Sequence, residues 1–96
     1  MPTIGKVEIG TYGQYASENY GANAIVVRVG PVTLWFSYQT LVAFESPLGR
    51  FVHTNVWGTT TGKHLNWIDG GEKKERVSSE IFADQLSHMQ KVYNLI

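Results

Sequence analysis

A chain of 96 residues, 43% hydrophobic and 17% charged, can build one globular core and is too short for two. Eight basic and eight acidic side chains cancel, which argues against a free-standing nucleic-acid binder, whose affinity rests on neutralising phosphates. The lack of cysteine excludes a disulfide framework and a thiolate zinc site.

The opening MPTIGKVEIG has no apolar signal core, and no run approaches the ~20 apolar residues of a membrane span. The expectation is a soluble, cytoplasmic protein. Residues 6–12 (KVEIGTY) alternate weakly and read as a first strand. GQYASENYGAN, rich in Gly, Ser, Asn and Tyr, reads as a long loop of the kind that often carries function. In residues 24–29, Ile25, Val27 and Val29 share one face of a strand and Ala24, Val26 and Arg28 the other. Gly30-Pro31 suits a type II′ hairpin turn, with glycine at the first central position. The next strand, 32–38, places Leu34, Phe36 and Tyr38 opposite Thr33, Trp35 and Ser37. Residues 40–46 (TLVAFES) are apolar on both faces, as a central strand is. Pro47-Leu48-Gly49 turns the chain, and 51–56 gives a last short strand.

After Trp57 the pattern becomes helical. Thr60 or Thr61 is read as the cap of a short helix running to about Ile68, ended by Asp69-Gly70-Gly71. GEKKER is a charged, exposed connection. Ser78 is the expected N-cap of a final helix, with Glu80 in the first turn where the dipole favours it. Ile81, Phe82, Leu86, Met89, Val92 and Tyr93 form its apolar stripe. The resulting expectation is a single α+β domain over 1–96. Its antiparallel sheet of about five strands is a meander, followed by one short helix and a C-terminal helix packed on the sheet.

The segment GTTTGKHLNW, residues 58–67, looks like a phosphate-binding loop, but Gly58 to Gly62 is one residue short of G-x-x-x-x-G-K-S/T. His64 also stands where the magnesium-binding hydroxyl belongs, and the chain has no room for a doubly wound sheet. A Thr-rich helix start still offers backbone N–H groups, hydroxyls and a cation together, which suits a phosphate or carboxylate. Thr60, Thr61 and Lys63 are the candidate anion holders. The plainer reading of the same residues is a helix cap with a solvated lysine.

Trp57 and Trp67 flank the segment and can stack on a base or pin the helix to the sheet. Asn55 and Asn66 can read a base edge or cap turns, and His64 can assist an anion or make a structural hydrogen bond. Tyr15 and Tyr20, in the loop holding Ser17-Glu18-Asn19-Tyr20-Gly21, can close over a ligand, as can Tyr38. Trp35 lies opposite Leu34 and Phe36. Unless helices cover both faces it is exposed or sits in an oligomer interface, which favours a homo-oligomer.

His53, His64 and His88 lack the spacing of a helical metal pair, so no metal or cofactor is expected. A Thr60–His64–Asp69 set can be drawn, but nothing has the specificity of a catalytic motif, and a non-enzyme is expected.

Three segments carry a family resemblance: S-x-N-Y-G at Ser17 to Gly21, F-S-Y-x-T-x-V-A-F at Phe36 to Phe44, and N-x-W-x-x-T-T-G-K-H-L-N at Asn55 to Asn66. With a dibasic linker to a final helix, they resemble a family of small uncharacterised proteins common in phages and bacteria. The likeness covers about residues 12 to 85, and TTGKHLN is its most specific part. The resemblance implies a phage or mobile-element setting, in the cytoplasm of the host cell, and transfers no activity. The functional expectation is therefore a non-enzymatic binder of a small anionic, nucleotide-like ligand, with sequestration of an immune signal of a host defence system as its expected use. The alternative is a protein-interaction module that inhibits a host protein through Trp35 and the tyrosine loop.

Overall fold

The computed structural model describes residues 7–13 and 23–94. Five strands form one antiparallel sheet in sequential order: β1 (Val7–Thr11), β2 (Ala24–Val29), β3 (Val32–Ser37), β4 (Thr40–Ser46) and β5 (Gly49–Val52). From β2 to β5 the meander follows from two-residue connections, which force neighbours in sequence to be neighbours in space. Gly30, between β2 and β3, has φ of 57°, the positive sign required at the first central position of a type II′ turn.

The β3–β4 turn differs from the sequence expectation. Tyr38 leaves the strand with φ of 57° and forms the two-residue turn with Gln39. A single residue cannot reverse a strand, so Tyr38 takes the positive φ at a steric cost that glycine would avoid. Its amide donates to the Asn23 carbonyl at 2.8 Å, and its ring lies 6.1 Å from that of His64.

Two helices follow, α1 (Thr59–Asp69) and α2 (Ser79–Tyr93), with a short 3-10 turn, Lys73–Glu75, between them. They cover opposite faces of the sheet. Register sets Val26, Trp35, Ala43 and Val52 side by side, and this row packs with Leu65 and Ile68 of α1. The other row holds Val27, Leu34, Phe44 and Phe51; Phe44 packs there with Phe82 and Met89 of α2, and Leu34 and Phe51 pack against that cluster. Between Trp35 and Phe36 the register shifts, because Trp35 faces Ala43 while Phe36 faces Leu41. Val42 is the extra residue of that bulge. Both Val42 and Ala43 join the α1 cluster.

A helix on each face changes the reading of Trp35, which is partly buried against the α1 cluster. Among the described strands, the large apolar side chains left exposed lie instead on β1. Ile9 is 73% exposed and Val7 53%, on the same face as Val27 and Val29. The sheet's other edge is partly covered, since the Val77 amide donates to the Val52 carbonyl and the Thr54 amide to the Val77 carbonyl, each at 2.8 Å.

Candidate functional site

The chain leaves β5 at Val52, four residues before the expected end, because Asn55 organises a turn. Its Oδ1 accepts from the amides of Trp57 at 3.0 Å and Gly58 at 3.2 Å, while Nδ2 donates to the Gly58 carbonyl at 2.9 Å. Gly58, not Thr60 or Thr61, is the N-cap of α1, and among the described residues no side-chain hydrogen bond caps the helix. The expected threonine caps are thus replaced by an asparagine turn just before the helix. Gly62 brings the helix close to this turn, and a Cβ on it would lie 3.0 Å from Asn55 Nδ2 and press on the carboxamide.

At its other end α1 stops where expected, with Gly70 in the left-handed region at φ of 66°. The chain then doubles back so that Arg76 reaches the helix. Arg76 Nε donates to Asp69 Oδ2 at 2.7 Å, and Nη2 donates to Asp69 Oδ1 and to Asn66 Oδ1, each at 3.0 Å. Asp69 Oδ1 also accepts from the Gly71 amide at 2.9 Å. Burial pushes the Asp69 carboxyl upward, but the hydrogen bonds from Arg76 and Gly71, with the charges of Arg76 and Arg50, bring it below its ordinary value.

The Asn55 turn and the Arg76 clamp enclose a pocket of about 250 Å³ lined by Thr54, Asn55, Gly62, Asn66, Lys73 and Arg76. That volume lies under the roughly 300–1,000 Å³ of sites for drug-sized ligands. It suits a small ligand or the polar end of a larger one. The lining offers two carboxamides, a hydroxyl and two cations, and no carboxylate. The Asp69 pairing occupies one edge of the Arg76 guanidinium. Its Nη1 makes no hydrogen bond among the described residues, where Lys73 Nζ also has no ion-pair partner.

Of the residues singled out in the sequence, Asn66 lines this pocket, and Asn55, weighed beside it, does too. Thr61 and His64 point the other way, into the interior. Ser37 Oγ lies 2.9 Å from Thr61 Oγ1 and 2.7 Å from His64 Nδ1. His64 is 0% exposed and Ser37 2%. Thr60 is half-buried and Lys63 exposed, and neither lines the pocket. Trp57 and Trp67 keep 42% and 54% of their surface. Trp57 lies over His53, ring centroids 4.8 Å apart, and Trp67 adjoins Asn66 on α1. Tyr38 is exposed at the β3–β4 turn. Tyr20, with Tyr15 and the Ser17 to Gly21 loop, lies outside the described residues.

Thr54, Lys73 and Arg76 were missed as site residues. Lys73 and Arg76 sit in GEKKER, whose charge pattern matches any solvated connection. The one signal for them was Gly70-Gly71, which permits the reversal that returns a basic segment to the helix. Among the described residues, no group of three His, Asp or Glu side chains converges as a metal site. None of the described helices is long and apolar enough to cross a membrane.

The chain belongs to a family of unknown function, DUF8033, whose model matches residues 7–84. No curated protein and no solved structure is significantly similar to it.

Proposed function

We propose that this protein is a non-enzymatic binder of a small anionic, nucleotide-like ligand, held in the pocket between α1 and the Lys73–Arg76 segment. The observation that carries the reading is the lining itself: Lys73 and Arg76 Nη1 supply cationic donors beside the carboxamides of Asn55 and Asn66. Cations suit phosphate oxygens, and a carboxamide suits the donor–acceptor edge of a base. The exposed rings of Trp57 and Trp67, on chain positions beside Asn55 and Asn66, offer stacking surface. In the phage setting implied by the sequence resemblance, holding such a ligand without converting it would sequester a host immune signal. Two copies of the chain can share one ligand in that scheme.

One observation favours a second reading, a protein-interaction module. In that reading the exposed apolar residues of β1, Ile9 and Val7, would supply the contact surface in place of Trp35, which packs on the α1 cluster.

A thermal-shift screen against linear and cyclic nucleotides and inorganic phosphate separates the two. The ligand reading expects a stabilising hit that is lost in Lys73→Ala and kept in Ile9→Ser. No shift with any nucleotide, together with a host protein whose capture depends on Ile9, would support the interaction module instead.

A further inference from the structure

His53, at the end of β5, is buried with its ring 4.8 Å from that of Trp57 and 5.0 Å from that of Phe82. Its Nδ1 lies 2.6 Å from the Thr54 carbonyl oxygen. A carbonyl only accepts, so Nδ1 carries a proton, and in its neutral form the ring presents its lone pair at Nε2. Ser79 Oγ lies 2.9 Å from that Nε2, so the hydroxyl donates to it. Ser79 is exposed and is the first residue of α2, where the N–H groups of the opening turn lack intrahelical partners.

An imidazole fixed in one tautomer, receiving the proton of an exposed hydroxyl, is the arrangement of an activated nucleophile. The Thr54 carbonyl orients the ring, a role often taken by a carboxylate. The neighbouring serines are placed otherwise. Ser78 Oγ accepts from the Ile81 amide at 3.4 Å as the cap of α2, and Ser37 is closed off beneath α1.

We infer that His53 and Ser79 are a base–nucleophile pair, and that Ser79 Oγ accepts an acyl group from an activated ester. Oγ attacks the ester carbonyl carbon as its proton passes to His53 Nε2. The tetrahedral species then collapses, breaking the bond from carbon to the leaving oxygen, which takes the proton from Nε2. The products are an acyl ester on Ser79 and a free alcohol or phenol, and no further reactant is consumed. This is a single covalent event, independent of ligand binding in the polar pocket.

The test treats the full chain with a fluorophosphonate, whose phosphorus undergoes the same attack with loss of fluoride, and locates the adduct by peptide mass. The expected result is an adduct on Ser79 formed much faster than on the exposed Ser87, a comparison that needs no variant. Ser79→Ala should lose the adduct. His53→Asn should slow it by about 100-fold or more, because the amide can replace Nδ1–H toward Thr54 but has no atom at Nε2. Labelling of Ser79 no faster than of Ser87, or an unchanged rate in a folded His53→Asn variant, overturns the inference.

Discussion

Arg76 grips Asp69 side-on, Nε to Oδ2 at 2.7 Å and Nη2 to Oδ1 at 3.0 Å, with 4% of either side chain exposed. The pair ties the C-terminal end of α1 to the segment before α2, and so holds one wall of the pocket in place. Removing one partner strands a buried charge, which costs about 3–5 kcal/mol. Arg76→Ala and Asp69→Ala should each lose that much in urea unfolding. An Arg76→Met/Asp69→Leu double variant should recover part of it, since no charge is then left unpaired.

The same pair sets an acid limit. The folded-state Asp69 carboxyl lies below its ordinary value, so its contribution to stability is complete above the unfolded value of about 3.9. That contribution is lost as pH falls from there through the folded value. Melting temperatures between pH 7 and pH 3 should therefore drop more steeply for the unaltered chain than for Asp69→Asn. Parallel curves for the two would show that Asp69 adds nothing to acid sensitivity.

The strands and their order were legible in the sequence because period-two alternation and the Gly30-Pro31 turn are local signals. β2 and β4 have the expected bounds. Ser78 and the stripe through Phe82 and Met89 likewise fixed α2. What escaped notice depended on distance. Asn55 looks like any loop asparagine until its carboxamide meets Gly58. The fate of Thr61 and His64 was set by Ser37, more than twenty residues earlier, which no spacing rule reaches. Two side chains of TTGKHLN, those of Thr61 and His64, thus serve the interior.

That division is open to measurement. Ser37→Ala leaves the Thr61 hydroxyl and His64 Nδ1 without the partner each has now. A buried polar group losing its partner costs about 1–3 kcal/mol. The variant should lose that much stability while nucleotide affinity stays within about twofold, scaled to the fraction folded. A large loss of affinity in the folded variant would place the buried triad in the binding machinery.

Gly62→Ala separates helix stability from pocket shape. Alanine favours the helix by roughly 1 kcal/mol, but its Cβ would press on Asn55 Nδ2. Global stability should change by no more than about 1 kcal/mol in either direction. Ligand binding should weaken as Asn55 is displaced. Unchanged affinity would mean that Asn55 does not touch the ligand.

The most direct test of the binding site is a residue-resolved amide NMR titration with the nucleotide that gives the largest thermal shift. The account predicts that perturbations centre on the backbone of Asn55, Gly62, Asn66 and Lys73 and on the side-chain amides of the two asparagines, and that they vanish in Lys73→Ala. Perturbations confined to β1 or to the α2 face, with the pocket amides unmoved, would contradict it.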